Sequence, residues 1–265
     1  MITIINGGTQ GLGEAVARKL TTDGNAGLVL AGRSADRGNA LAEALTAEGT
    51  PAMFVAADMT DGAAPAAVVG ACIERFGRVD GVVNVAAATS RATLFTDTPE
   101  HVDHQFAVNV KAPYFLIQAA ARAMVEQETG GSIVNVGSVA GHGGASKLTA
   151  YSMSKAALAV MTKNLAFALM EHRIRVNQVN PGWMDTESEH RTQIEQDGAP
   201  EDWLATAEAN RPFGRLVKPW EVANAIAFCL SPDSGLLTGN VIDVDQSVQG
   251  AGEPPIPAAD DTVHP

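Results

Sequence analysis

Short β-rich runs alternate with longer helical patterns from the first residues almost to the last, and that rhythm admits few architectures. The strand candidates are Ile2–Asn6, Gly27–Ala31, Ala52–Ala56, Gly81–Val85, Ser132–Gly137, Arg175–Asn180 and Val241–Val244. Helical stretches lie near residues 12–23, 35–48, 63–76, 99–127, 150–172 and 219–230. Strand, helix and strand in this order build parallel βαβ units, whose crossovers lay helices on the sheet. The expectation is an α/β fold: one domain with a doubly wound, parallel, seven-stranded sheet and helices on both faces. Pro113 should bend or break the fourth helical stretch. Residues 184–211 carry no strand pattern and many acids, with room for two short helices bearing His190 and Trp203, so this segment reads as a substrate lid. The domain spans 1–250, and the Pro/Asp-rich residues 251–265 read as an extended C-terminal tail.

Composition fits this and narrows the function. Of 265 residues 46% are hydrophobic but only 5% aromatic, which suits close helix-on-sheet packing by small aliphatic side chains. Eighteen basic residues against thirty acidic ones leave a formal charge of -12, and such a surface repels nucleic acid and anionic lipid alike. Cys72 and Cys229 lie in apolar helical patterns without metal or redox spacing and read as buried thiols. The first strand begins at residue 2 with no secretory pattern before it, and no long uncharged apolar run occurs. The expected protein is cytoplasmic, with no nucleic acid, membrane or metal among its partners.

The first strand runs directly into Asn6-Gly7-Gly8-Thr9-Gln10-Gly11-Leu12-Gly13, which opens a helix. Glycines there let backbone amides approach a pyrophosphate at the positive end of that helix, so Gly7, Thr9, Gln10, Gly11, Leu12 and Gly13 are candidate cofactor residues. The second strand ends at Gly32-Arg33-Ser34, the place that faces the adenosine ribose in dinucleotide-binding folds. A carboxylate there would repel a 2′-phosphate; instead Arg33, Ser34 and Arg37 offer donors, which favours NADP(H) while NAD(H) stays possible. The third strand ends at Asp58-Met59, where the carboxylate either accepts from the adenine amino group or caps a turn.

A second group of residues carries the chemistry. Tyr151 and Lys155 stand four apart at the start of the helix after the fifth strand, on one helical face. Ser138 follows that strand at the carboxyl edge of the sheet, and Asn109 sits within the long fourth helical segment. An ordinary phenol, with a pKa near 10, is a poor acid-base catalyst at neutral pH, and an adjacent ammonium favours its ionised form. In reduction Tyr151 would protonate a carbonyl oxygen that Ser138 holds, and Lys155 would also bind the nicotinamide ribose. His142, and Trp183 with Met184, either line a substrate cavity or serve as packing.

These motifs together resemble the short-chain dehydrogenase/reductase family over residues 1 to about 250. The family's Thr-Gly-x-x-x-Gly-x-Gly appears from Asn6 to Gly13, its Asn-Asn-Ala-Gly as Asn84-Val85-Ala86-Ala87, and its catalytic tetrad as Asn109, Ser138, Tyr151 and Lys155. The resemblance adds Asn84, Ala86, Pro181, Gly182, Met184 and Thr186 to the cofactor set, with Thr186 at the position that contacts the carboxamide. Asn6 stands in place of the family's threonine and Ala87 in place of a glycine close to the cofactor. The resemblance implies a Rossmann-like fold, an NAD(P)-dependent secondary alcohol/ketone oxidoreductase, and a homotetramer. Its substrate reads as a small-molecule alcohol or carbonyl, with a sugar or polyol ahead of a 3-oxoacyl thioester because an acidic surface disfavours an acidic acyl carrier. A non-catalytic nucleotide-binding scaffold or sensor is the reading from another class.

Overall fold

In the computed structural model, residues 1–249 are described, and the tail at 251–265 lies outside the described residues. Seven parallel strands form one sheet: β1 (Ile2–Asn6), β2 (Gly27–Gly32), β3 (Ala52–Ala56), β4 (Gly81–Asn84), β5 (Gly131–Val136), β6 (Ile174–Pro181) and β7 (Val241–Val244). Their spatial order is β3-β2-β1-β4-β5-β6-β7. The apolar runs of the central strands are continuous because both faces are covered. Ile4, Val29, Val82 and Ile133 point into one core, while the adjacent Ile5, Leu28, Val83 and Val134 point into the other.

Helices α1 (Gly11–Thr22), α2 (Ala35–Ala47) and α9 (Pro219–Leu230) cover the face of Ile5. Helices α3 (Ala64–Phe76), α5 (Ala112–Glu126) and α6 (Thr149–Leu169) cover the other. The lid holds two short helices, α7 (Glu187–Glu195) and α8 (Trp203–Ala209), as its sequence suggested. Trp203 and Leu216 form a small separate core beneath it, with Trp183 packed against them.

The fourth helical stretch is interrupted, as Pro113 leads one to expect. Helix α4 (Pro99–Phe106) passes into a π-helical turn over Ala107–Lys111, and α5 starts beyond it with Pro113 in its first turn. A proline at 113 removes the amide that would bond the Asn109 carbonyl four residues back, and its ring crowds that carbonyl. The break therefore precedes the proline and is centred on the buried Asn109. A single wide turn inside a helix aims side chains that regular spacing would misplace, and such turns recur at functional sites.

Successive crossovers run outward from β1 through β2 to β3, and from β4 through β5, β6 and β7 on the other side. The reversal falls between β1 and β4, where Asn6 pairs in register with Asn84. Crossovers on either side leave a crevice beyond the strand ends at such a switch point.

Candidate active site

At that crevice lies a cavity of about 590 Å³. Its floor is the glycine turn. Gly7 has φ +83°, and a Cβ there would meet the backbone nitrogen of Ala86 at 2.5 Å. At Gly13 a Cβ would fall 2.0 Å from the Gly7 carbonyl oxygen. Gly7 thus needs its left-handed backbone and Gly13 its bare face, which packs α1 against the turn. Gln10 precedes α1 in extended conformation and gives its amides no side-chain cap, and the buried Oε1 of Gln10 has no partner. Uncapped amides at a helix start, opening into a cavity, fit a cofactor pyrophosphate.

Arg33, Ser34, Arg37, Asp58, Met59 and Thr60 line the far end. Arg37 donates through Nε to the Ser34 hydroxyl at 3.2 Å, and no carboxylate occupies the end of β2. Asp58 accepts from the Thr60 amide at 3.0 Å and its hydroxyl at 2.7 Å, and these bonds hold its pKa down. It therefore closes a turn while still facing the cavity.

The opposite end gathers the candidate acid-base groups. Ser138, just past β5, Tyr151 in the first turn of α6 and Lys155 one turn later share the wall. The loop joining them is a short 3₁₀ turn at Val139–His142. Burial pushes the Tyr151 phenol up, the Ser138 hydroxyl beside it pulls it back, and the Glu189 carboxylate adds a further upward push. The Lys155 ammonium lies 5.6 Å from the Tyr151 ring centre and donates to the Val136 carbonyl at 2.8 Å. It is 2% exposed, and burial lowers its pKa to about 8.

Asn109 stands behind the wall. Its Oδ1 accepts from the Ala88 amide at 2.8 Å, and its Nδ2 donates to the Ala88 carbonyl at 3.0 Å and the Ser154 hydroxyl oxygen at 2.9 Å. It thus fastens the segment after β4 to the first turn of α6. Asn84 is likewise internal, donating to Asn135 at 2.9 Å and accepting from Asn6 at 3.5 Å. The asparagine at position 6 so extends a polar rung between β1 and β4. Ala87 has no positive φ, so its Cβ causes no backbone strain.

Gly7, Thr9, Gln10, Gly11, Leu12, Arg33, Ser34, Asp58, Met59, Ala86, Ser138, Tyr151, Lys155, Pro181, Gly182, Met184 and Thr186 all reach the cavity wall. Gly13, Asn84 and Asn109 support it from behind. His142 and Trp183 stand off it, as packing rather than lining. His142 pairs with Asp243 at 2.9 Å. Trp183 stacks on Trp203 with ring centres 5.6 Å apart and donates to Glu189 at 2.8 Å. Thr186 also caps α7, accepting from the Glu189 amide at 3.1 Å.

The wall includes Thr89, His104, Val108, Glu187, Ser188 and Arg191, none of which the motifs indicated. The spacing of His104 and Val108 places them on one helix face just ahead of Asn109, a signal that was there to read. Glu187 and Arg191 belong to the polar stretch of 184–211 whose charged side chains suit a sugar or polyol, while which of them face the cavity depends on where α7 folds. Arg91 fixes that place, bonding Glu189 at 2.9 Å and Asp197 through its other guanidinium nitrogen.

Comparison with known proteins agrees with this geometry. Residues 7–248 match the family model described as Enoyl-(Acyl carrier protein) reductase. The galactitol 2-dehydrogenase of Agrobacterium fabrum is 32% identical over 250 residues, spanning 92% of this chain and 95% of that protein. A short-chain type dehydrogenase/reductase from Mycobacterium ulcerans superposes with a TM-score of 0.83 at 26% identity, over 92% of this chain and 88% of the other. A crystal structure of actinorhodin polyketide ketoreductase with NADPH gives 0.85 at 27% identity, over 92% and 95%. With its glycine turn, its Ser-Tyr-Lys wall and a family match across nearly the whole chain, this protein belongs to the short-chain dehydrogenase/reductase family of oxidoreductases.

Proposed function

We propose that this chain interconverts a secondary alcohol and a ketone on a small polar molecule, a sugar or polyol, with NADP(H) preferred over NAD(H). One observation carries the reading: a single cavity has an uncapped helix start on its floor and Ser138, Tyr151 and Lys155 on its wall. The glycine turn from Gly7 to Leu12 and the Lys155 wall would hold a reduced nicotinamide cofactor, which would supply hydride to the carbonyl carbon. Tyr151 gives its phenolic proton to the carbonyl oxygen, and the Ser138 hydroxyl holds that oxygen in place. The Lys155 charge, anchored by the Val136 carbonyl, stabilises the phenolate left behind. In the oxidative direction the same phenolate takes the alcohol proton.

The polar class of substrate is supported by Thr89, Glu187, Ser188 and Arg191 on the wall and by the likeness to galactitol 2-dehydrogenase. Reduction of a 3-oxoacyl thioester is the second reading, favoured by the acyl-carrier description of the family model and the polyketide ketoreductase likeness. The charge of -12 weighs against docking an acidic carrier. A panel of polyols and sugars, simple ketones and 3-oxoacyl thioesters, each with both cofactors, separates these. Highest kcat/KM on polyols is expected; highest kcat/KM on thioesters would replace the substrate assignment. Tight cofactor binding with no turnover anywhere would leave a nucleotide-binding scaffold. Arg33→Ala should raise the Kd of NADPH about 10-fold and leave that of NADH unchanged, since only the former carries the 2′-phosphate. Equal losses for both would remove the case for NADP(H).

The same reading makes the protein a cytoplasmic homotetramer. No helix among the described residues is long and apolar enough to cross a membrane. Cys72 and Cys229 are free, and burial pushes the Cys72 thiol up to about 12, an inert state suited to a reducing compartment. Val160 and Phe167 on α6 are 61% and 79% exposed, and Trp220 and Phe228 on α9 add a second apolar surface. Apolar faces of this kind mark subunit contacts. Light scattering should give four times the chain mass; a monomer at micromolar concentration would refute the assembly.

A further inference from the structure

Asn109 has a support that the family motifs do not include, and its donors and acceptors can be followed outward from the site to the surface. At the outer end, Asp97 Oδ1 lies 2.6 Å from His101 Nδ1. A carboxylate only accepts, so His101 carries a hydrogen on Nδ1, and in the neutral tautomer Nε2 is then an acceptor. The Ser90 hydroxyl lies 2.9 Å from that Nε2 and donates to it. Ser90 then has lone pairs free, and Gln105 Nε2 donates to Ser90 Oγ and to the Ser90 carbonyl, both at 3.1 Å. With both hydrogens committed, the Gln105 amide has one orientation, and its Oε1 lies 3.0 Å from Asn109 Nδ2, which shares its two hydrogens among Gln105, the Ala88 carbonyl and Ser154. Asn109 in turn clamps Ala88 from both sides and meets Ser154, whose hydroxyl donates to the Tyr151 carbonyl at 2.6 Å.

We propose that Gln105, Ser90, His101 and Asp97 are positioning residues for catalysis: the chain they form fixes the Asn109 amide, and through it the Ala88 wall and the catalytic turn of α6. This rests on the reading of Tyr151 as the acid-base group. Three features carry it. Gln105 is fully buried on α4, where a polar amide is retained only if satisfied, and every one of its polar atoms is matched. With His101 neutral, donors and acceptors match at every step from Asp97 to Asn109. The two outputs, Ala88 and the Tyr151 carbonyl, lie on segments that also meet at the Ala92–Leu148 bridge, where the Ala92 amide donates to the Lys147 carbonyl at 3.1 Å. Those are the elements whose separation sets how the phenol meets its substrate, and misplacement by fractions of an ångström costs rate rather than binding.

The test uses the full-length enzyme with Gln105→Leu, which matches the side chain in size, His101→Phe, and Ser90→Ala as the mildest break. Two readouts are followed. Amide hydrogen exchange at Ala88, whose N–H is held by Asn109, requires no substrate and should quicken about 10-fold in each variant as that clamp loosens. With substrate, kcat should fall about 10-fold while the substrate KM and the cofactor Kd stay within about 2-fold, and the Gln105→Leu/His101→Phe double variant should fall no further than the worse single one. Protection of Ala88 equal to wild type would overturn the proposal, as would single losses that multiply in the double variant. A fall in melting temperature with kcat untouched would reduce the chain to ordinary packing. If Gln105→Leu does not fold, Ser90→Ala and His101→Phe give the same reading. A wild-type enzyme without turnover would count against the functional assignment alone, since the Ala88 exchange would still decide the positioning role.

Discussion

Replacement of Tyr151 by Phe is expected to lower kcat by about 1,000-fold while leaving cofactor affinity within a factor of two. The phenyl ring keeps the place of the partly buried side chain in the first turn of α6, so the fold and the glycine turn are untouched. What is lost is the phenolic hydroxyl beside Ser138, the proposed proton donor to the substrate oxygen. Ser138 still holds that oxygen, and its own removal in Ser138→Ala should cost about 100-fold, the size of one stabilising donor. Because burial raises the phenol's pKa, wild-type Tyr151 is protonated at neutral pH and ready for reduction. Oxidation needs the phenolate, so its rate should rise with pH while reduction falls. Turnover by Tyr151→Phe equal to wild type, in either direction, would remove Tyr151 from the mechanism.

The sheet was legible because its central strands have both faces covered. Ile4 and Ile5 are adjacent and both apolar, and each serves a different core. The same local character made the glycine turn and the Tyr151–Lys155 pair readable, since a turn type and a four-residue helical spacing are properties of short segments. Legibility ended where geometry depends on distant partners. Pro113 marked the break, and the helix yields at the carbonyl four residues before it, in a π turn whose Asn109 is held by Ala88 and Gln105. Those partners, twenty-one and four residues away, have no local signal. His142 and Trp183 illustrate the same limit from the other side. Both follow functional motifs closely, and both turn to partners elsewhere, Asp243 on β7 and Trp203 on α8. The lid wall is set by Arg91, about one hundred residues upstream of the carboxylates it binds.

Replacing Lys155 by Met should abolish turnover and, at neutral pH, make the protein more stable. Lys155 is 2% exposed, with a single hydrogen bond to the Val136 carbonyl, and burial takes its pKa from 10.5 to about 8. The folded state therefore disfavours the charged form, at a cost of about 3 kcal/mol wherever both states are protonated. Methionine matches the length of the side chain and carries no charge, but it leaves the Val136 carbonyl without its donor, which returns about 1 kcal/mol of the gain. The net expectation below pH 8 is about 2 kcal/mol, or roughly 4 °C in melting temperature. The sign reverses the usual pattern for a partnered cation. Between about pH 8 and 10.5 the unfolded chain binds the proton that folded Lys155 has released, so wild-type stability gains on the variant as pH rises through that window. Melting curves of both proteins from pH 6 to 10 measure this directly. A variant less stable than wild type at pH 7, or a difference that does not shrink with rising pH, would mean that the buried ammonium is fully compensated where it sits. A shrinking difference would show that the enzyme holds its catalytic charge at the expense of its fold.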